Sequence, residues 1–298
     1  IKKYHLEDDF EFSQTYPFFW DKFEKCYCFL QRMVETRDMT LDCELVRHLV
    51  KEPQQDGGDW YMFVDIVEKY GLIPKSQMNE TYQSEHSSSL DETLNQRLHD
   101  YAYRIRKFSP DTKPFEIESY LETCMLEIYR ILVIFLGSVV LAISAKIKIP
   151  FYPVPMTMQT FVVLFLGVCF GYKIAISTVG LYLIEGMLGL PVFSNSPERG
   201  VGMVYFTGPT MGYLIGFLSA SFLASFVKDK DKYFIIFIKL ITAVSTIYIF
   251  GILWLGALIG WDKPVIQLGV TPFLLAELFK IVLLTLISRY IFKFRKFI

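Results

Sequence analysis

Cysteine and histidine are scarce in this 298-residue chain, which has five cysteines and four histidines. The Cys26-x-Cys28 pair lacks a second pair at zinc-finger spacing, so we expect no metal site. The odd cysteine count, without a secretory signal in the printed sequence, favours free thiols in a reducing compartment. No G-x-x-x-x-G-K-[ST] loop is present, which excludes an ATPase motif of that kind.

Acidic residues are rare in the second half of the chain. Residues 139–298 hold 14 Lys and Arg against 6 Asp and Glu, whereas residues 1–138 hold 16 against 25. The formal net charge of −1 is therefore a cancellation of two opposite halves. Because the basic half is apolar and sparse in charge, we expect a lipid bilayer and no nucleic acid as its partner.

The polar first half has the pattern of a soluble, mostly helical domain. Apolar residues recur at helical spacing in residues 18–35 and 60–71. Beyond Arg130 the composition changes within one helical turn. We therefore predict a soluble domain over 1–125, a junction over 126–138 and a membrane domain over 139–298.

Apolar runs of membrane length recur after Arg130, and they predict an all-α membrane protein with six transmembrane helices. The second and third runs are nearly continuous at Gly171-Tyr172-Lys173. If they form a single span, the total is five spans. Short loops carry eight Lys and Arg on the side of the soluble domain and four on the other, so both termini are expected in the cytoplasm. The six runs are 131–145, 158–172, 174–190, 203–227, 233–258 and 270–291.

Ionisable residues inside the apolar runs are candidates for a polar site, because such groups usually face a cavity or a partner. Glu277 and Lys280 lie three residues apart and share one helix face. The alternative is an internal ion pair whose only role is to neutralise two charges within the bilayer. Glu185 lies between glycines, and we expect it to have a structural role.

Two loops rich in proline and glycine lie on the predicted outer side, at 147–160 and 189–202. Irregular backbone at membrane depth is tolerated only where it is buried or lines a cavity; ordinary loops are the alternative. A ligand with one charged and one amide-like end fits this polar set. The candidates are Arg199 or Lys280 for the charged end and Asn195, Gln159 or Glu277 for the amide-like end.

Four segments of the membrane half have a recognisable pattern: IKIPFYPVPMTMQT (147–160), GMLGLPVF (186–193), GPTMGYLIGF (208–217) and TPFLLAELFK (271–280). Through these segments the membrane half resembles the BioY biotin transporter family. The resemblance implies the six-helix substrate-capture component of an energy-coupling-factor transporter, which binds biotin from outside. It further implies that Glu277 supplies a carboxylate for the ureido ring and that Lys280 lies close to it, although the family more often has Asp at the first position. We expect the bicyclic ring to lie among side chains such as Tyr182 and Phe193. Biotin is then the transported ligand, no cofactor is expected, and an energy-coupling membrane subunit and ATPase subunits come from other chains.

Three segments of the polar half carry a second resemblance: FEFSQTYPFFWDKFEKCYCFL (10–30), DGGDWYMFVDIVEKYGLIPK (56–75) and ETYQSEHSSSLDETLNQRL (80–98). Through them the polar half resembles bleomycin hydrolase, a papain-like cysteine aminopeptidase. The resemblance covers an internal slice of the peptidase and runs to about Gly137.

Papain-type catalysis needs a Cys, a His and a third group that orients the imidazole. By the resemblance all three lie outside the matched slice, so we expect no enzyme activity and name no catalytic residue. Gly57 and Gly58 match a glycine pair of the peptidase cleft. Two alternatives stay open: an aminopeptidase completed by another chain or a longer product, and a misjoined product of two genes.

The expected location is the plasma membrane of a bacterial-type cell.

Overall fold

The computed structural model describes residues 10–54, 57–78, 80, 87–149, 154, 156–198 and 200–295. The chain divides into two compact units, Ile1–Val133 and Ile134–Ile298. We call them the N-terminal unit and the C-terminal unit. The division falls inside the predicted junction, and the assignment of a function to each domain stays a prediction.

The described residues of the N-terminal unit form four helices and the first part of a fifth. They are α1 (Thr15–Glu35), α2 (Glu44–Lys51), α3 (Trp60–Tyr70), α4 (Ser88–Ile105) and α5 (Pro114–Lys146).

Buried apolar side chains of α1 and α4 form part of the core of the N-terminal unit. Leu30 and Met33 of α1 are fully buried, as are Leu94 and Leu98 of α4. These side chains recur at the three- and four-residue spacing that places them on one face of a helix. Gly71, with φ of 77°, follows the last residue of α3, at the end of the helical pattern over residues 60–71.

The C-terminal unit takes the end of α5 and adds a short hairpin and further helices. Residues 148–149 and 156–157 form the antiparallel hairpin, in which Lys148 pairs with Thr157. The elements are β1 (Lys148–Ile149), β2 (Met156–Thr157), α6 (Gln159–Met187), α7 (Met203–Phe206), α8 (Met211–Ala224), α9 (Tyr233–Ile259), α10 (Val265–Gly269), a 3₁₀ turn (Thr271–Phe273) and α11 (Leu274–Arg295).

The chain reverses direction inside α6, at Gly171. Gly171 has φ of 77° and ψ of 176°, a backbone conformation that essentially only glycine adopts. The Gln159 side-chain amide donates to the Tyr182 hydroxyl at 2.6 Å, across 23 positions of sequence. A straight helix would hold two such residues roughly 34 Å apart, at 1.5 Å of rise per residue. Residues 159–170 and 172–187 therefore form two helical segments that pack against each other.

Within the described residues, four apolar helical stretches have the length and composition to cross a membrane: Pro114–Lys146, Gln159–Met187, Tyr233–Ile259 and Val265–Phe292. The second of these is measured across the reversal at Gly171. Met211–Ala224 is a shorter apolar helix. The expected run over 203–227 is interrupted, because α7 ends at Phe206 and α8 begins at Met211. The chain is an all-α membrane protein, whereas the count of six spans stays a prediction.

Candidate functional site

A cavity lies among the helices of the C-terminal unit. The atom-free space in and around it, open solvent included, is about 560 Å³. Most of its wall comes from the hairpin, the first residues of α6, the first part of α8 and the middle of α9. The lining residues are Val154, Met156, Thr157, Gln159, Thr160, Ser194, Tyr205, Thr210, Tyr213, Leu214, Phe217, Ile247, Tyr248, Phe273 and Glu277.

The carboxylate of Glu277 is the one acidic group among these lining residues. Its Oε1 atom accepts from the Thr160 hydroxyl at 2.9 Å and from the Lys280 ammonium at 2.8 Å. Glu277 and Lys280 are 5% and 4% exposed, so the pair is buried as well as joined. The shared helix face predicted from their spacing is thus present, because both side chains reach the same neighbour, Thr160.

Lys280 is saturated by contacts within the protein. Its Nζ donates to the Thr157 carbonyl at 2.6 Å and to the Thr160 hydroxyl at 2.8 Å, besides Glu277. An ammonium has three N–H donors, and these contacts use all three. In the structure Lys280 therefore holds the Glu277 carboxylate in place and offers no further N–H to a ligand.

The second carboxylate oxygen of Glu277, Oε2, is buried and finds no hydrogen-bond partner within the described part of the chain. A carboxylate oxygen accepts hydrogen bonds and donates none when ionised. Leaving a buried charged acceptor unpaired is costly, so such an atom usually meets a ligand or water. The cavity therefore presents an acceptor suited to a ligand N–H or O–H group.

Gln159 lines the cavity, as the sequence predicted, and is anchored by two neighbours. It donates to Tyr182 and accepts from the Thr157 hydroxyl at 3.2 Å. Tyr182 and Phe193 are fully or almost fully buried and pack edge to face, with ring centroids 5.2 Å apart. The structure places these two rings in the core behind the wall, and neither is among the lining residues.

The loop after α6 contains the other predicted ligand-binding residues. The Asn195 side-chain oxygen accepts from Lys148 Nζ at 2.6 Å, and Asn195 is not among the lining residues. Arg199 lies outside the described residues, so its predicted role stays a prediction. Glu185 is 7% exposed and accepts from the Ser138 hydroxyl at 3.0 Å, which fits the structural role expected for it.

Aromatic side chains dominate the rest of the wall, and sequence reasoning did not single them out. Tyr205, Tyr213 and Tyr248 line the cavity together with Phe217 and Phe273. With 18 Tyr and 27 Phe in the chain, aromatic content alone marks no position. Ser194 and Thr160 were also missed, although Thr160 directly follows the predicted Gln159.

The N-terminal unit contains the predicted peptidase-cleft remnant. Gly58 borders a groove between α1 and α3, beside Met62 and Phe18, and an added Cβ at Gly57 would meet no atom within 4 Å. Burial raises the pKa of the Cys26 thiol to about 12, which disfavours the reactive thiolate. Among the described residues, no group of three or more His, Cys, Asp and Glu side chains could hold a metal ion.

Two family models match this chain, each on a different part. A model described as the BioY family matches residues 118–297, which is more than half of the chain. The chain belongs to the BioY family. The cavity and every lining residue lie within this BioY region, and the match begins upstream of residue 138, where the sequence predicted its start.

A model described as a Peptidase C1-like family matches residues 1–141. Bleomycin hydrolase of Gallus gallus is 41% identical over 141 residues, which are 46% of this chain and 31% of that protein. Aminopeptidase C of Listeria monocytogenes is 46% identical over 129 residues, or 43% of this chain and 29% of that protein. The chain thus spans about 30% of the length of these curated relatives, and the resemblance to a fragment of a peptidase is confirmed.

Among solved structures, the S-component for biotin from an ECF-type ABC transporter is similar to part of this chain. It is 24% identical, with a TM-score of 0.49, and the match covers 56% of this chain and 93% of that one.

Proposed function

We propose that the chain is the biotin-binding substrate-capture component of a membrane transporter and mediates biotin uptake. The carrying observation is the buried Glu277 carboxylate, whose Oε2 atom is an unpaired acceptor in the cavity of a BioY-family region. The two N–H groups of a ureido ring are donors of the kind that this oxygen requires. The apolar bicyclic ring would pack on the aromatic wall, and Arg199 would meet the carboxylate of the valeryl chain.

The proposal includes six transmembrane spans, with both termini in the cytoplasm of a bacterial-type cell and the protein in its plasma membrane. The reversal at Gly171 supports counting residues 159–170 and 172–187 as separate spans. The energy for uptake would come from an energy-coupling membrane subunit and ATPase subunits on other chains. No cofactor takes part, and the N-terminal unit is catalytically inactive.

Titration with labelled biotin in mild detergent tests this function on the full chain. Replacing Glu277 alone would leave the Lys280 charge buried, so the informative variant is the charge-neutral pair Glu277→Gln/Lys280→Met. Charge-assisted hydrogen bonds contribute about 1.5–3 kcal/mol, so we expect binding at least about tenfold weaker than in the natural chain. The matched control is Asp231→Asn/Lys239→Met, which removes a 2.6 Å ion pair away from the cavity and should leave affinity unchanged.

Lipoic acid serves as the ligand control, since it carries the same type of carboxylate chain and a sulfur ring but no N–H group. It should not compete with biotin. An absence of saturable biotin binding in the natural chain would overturn the proposed ligand. Unchanged affinity in the Glu277→Gln/Lys280→Met variant would overturn the role of the carboxylate.

A second candidate function is a cysteine-type aminopeptidase. The observation that favours it is the 41% and 46% identity of the N-terminal part to bleomycin hydrolase and aminopeptidase C. It requires that another chain or a longer product supply the nucleophile and its partners. Hydrolysis of an aminoacyl fluorogenic substrate, abolished by thiol alkylation, would support it. A misjoined gene product is the third possibility, and one uninterrupted transcript through residues 126–138 in the native source would argue against it.

A further inference from the structure

Ser194 has an unusual environment for a small polar residue. It is 4% exposed, it lines the cavity, and its hydroxyl finds no hydrogen-bond partner among the residues that the structure describes. Other buried serines of the same unit donate to a backbone carbonyl three residues earlier, as Ser288 does to Thr285 at 2.7 Å. Ser194 lies in a loop, where no helical carbonyl is placed to accept its proton.

The backbone around Ser194 is a tight turn. The amide of Ser196 donates to the carbonyl of Phe193 at 3.2 Å, and the Ser196 hydroxyl donates to the same carbonyl at 2.8 Å. Asn195 has φ of 66°, the left-handed conformation that asparagine tolerates better than most residues. The turn thus fixes the direction of the Ser194 side chain by local hydrogen bonds.

Lys146, the last residue of α5, holds both ends of this turn. Its Nζ donates to the Phe193 carbonyl at 3.0 Å and to the Ser196 carbonyl at 2.9 Å. Lys148 adds a third tie through the Asn195 side chain. On the far side, the Phe193 ring is 1% exposed and stacks on Tyr205 at 4.7 Å between centroids. The ammonium on one side and the ring on the other leave the turn little freedom to move.

From this geometry we infer that Ser194 is a ligand-contacting residue of the cavity and that Lys146 is the residue that positions it. The inference rests on the proposed function and deepens it. Glu277 Oε2 can only accept, whereas a hydroxyl can donate and accept. The ligand class is therefore a compound with an N–H or O–H donor for Glu277 and a second polar group, either donor or acceptor, for Ser194.

Equilibrium titration of the full chain with labelled biotin tests the first half of the inference. Loss of one neutral hydrogen bond should make the Ser194→Ala variant about five- to tenfold weaker than the natural chain. Ser288→Ala is the matched control, because its hydroxyl is bonded within a helix and lies away from the cavity, and it should bind normally. Thermal unfolding of each variant checks that it is folded.

The outcomes separate failure of this inference from failure of the proposed function. If the natural chain does not bind biotin, the proposed function fails. If the natural chain binds and Ser194→Ala binds equally well or more tightly, the ligand contact assigned to Ser194 is wrong.

A double-mutant cycle tests the second half. If Lys146 acts through Ser194, Lys146→Met should weaken binding in the natural background and add less than about twofold in the Ser194→Ala background. Lys146→Arg, which can still donate to two carbonyls, should restore affinity to within about twofold of the natural chain. Losses that multiply in the double variant, or no rescue by arginine, would overturn the positioning role of Lys146.

Discussion

Glu277 and Lys280 stand out among the individual residues because both charges are buried and each depends on the other. The Lys280 ammonium donates to Thr157, Thr160 and Glu277, which uses all three of its N–H groups. The Glu277 carboxylate accepts its hydrogen bonds from Thr160 and Lys280 on one oxygen, Oε1. Removing one member of such a pair leaves the other charge uncompensated, whereas replacing both can be nearly neutral. Each buried charge therefore depends on the other, and Oε2 has no hydrogen-bond partner among the described residues.

This dependence predicts an order of stabilities. Lys280→Met alone should lower the free energy of unfolding by about 3–5 kcal/mol, because it leaves the Glu277 carboxylate buried without its cation. The Glu277→Gln/Lys280→Met variant should recover most of that loss. Thermal unfolding in detergent measures both, and equal melting temperatures for the natural chain and Lys280→Met would contradict the coupling.

A second prediction at this scale concerns the two cysteines of α1. Cys26 is fully buried and Cys28 is exposed. Because burial raises the pKa of Cys26 to about 12, its thiol stays protonated across neutral and mildly alkaline pH.

Iodoacetamide at pH 7–9 should therefore label Cys28 and leave Cys26 unmodified in the folded chain, as read by tandem mass spectrometry of the peptide that contains both. In denaturant the two sites should react alike. Comparable labelling of both without denaturant would mean that the N-terminal unit does not fold as described.

Sequence reasoning reached part of the cavity at residue scale. Glu277 and Gln159 could be predicted because a charge in an apolar run and an amide in a proline-rich loop both need a polar setting. Tyr182 and Phe193 were assigned to the ligand from the resemblance, yet they pack on each other behind the wall. The role of Ser194 could not be predicted from the sequence. Its hydroxyl stands out because it has no hydrogen-bond partner among the described residues, and this is visible only in the folded structure.

At the scale of elements, the decisive feature is the reversal at Gly171, since it creates the pair of segments that bring Gln159 to Tyr182. The sequence showed two apolar runs nearly fused at this point, and hydropathy alone left both readings open. In the structure one backbone conformation at Gly171, φ of 77° with ψ of 176°, separates the two helical segments, whereas the number of spans stays a prediction. A glycine with this geometry cannot be recognised by composition, because the chain contains 18 glycines.

Gly171→Ala tests the reversal. A Cβ at this φ and ψ is strained by about 1–3 kcal/mol, so the variant should unfold at a lower temperature than the natural chain. Gly180→Ala is the matched control in the same helix, where an added Cβ meets no atom within 4 Å. Since alanine is favoured over glycine inside helices, this control should be neutral or slightly stabilising. Equal shifts in both variants would argue against a special backbone at Gly171.

At the scale of the whole molecule, two family resemblances share one helix. The family matches overlap over residues 118–141, and these residues lie within α5. The first half of α5 carries Glu116, Glu118, Glu122 and Glu127, whereas no charged residue occurs between Arg130 and Lys146. The sequence could predict where the composition changes from charged to apolar. The helix continues through this point, because a change in side-chain polarity does not interrupt the hydrogen bonds of the helix backbone.

The proposed topology makes a prediction that also distinguishes six spans from five. With six spans, the loop containing Glu198 lies outside, whereas Cys28 and Asp229 lie in the cytoplasm. With five spans, residues 158–190 cross only once, so Glu198 lies on the same side as Cys28 and opposite Asp229. The Glu198 and Asp229 side chains are exposed, which makes both positions suitable for labelling.

A membrane-impermeant maleimide applied to intact cells should label the Glu198→Cys variant and neither the natural chain nor Asp229→Cys. Permeabilisation should expose Cys28 and the cysteine of Asp229→Cys to the same reagent. If Asp229→Cys is labelled in intact cells and Glu198→Cys is not, the five-span arrangement with a cytoplasmic N-terminal unit holds. If the natural chain is labelled in intact cells, the N-terminal unit is outside and the charge-based orientation is wrong, because Cys28 is exposed on that unit.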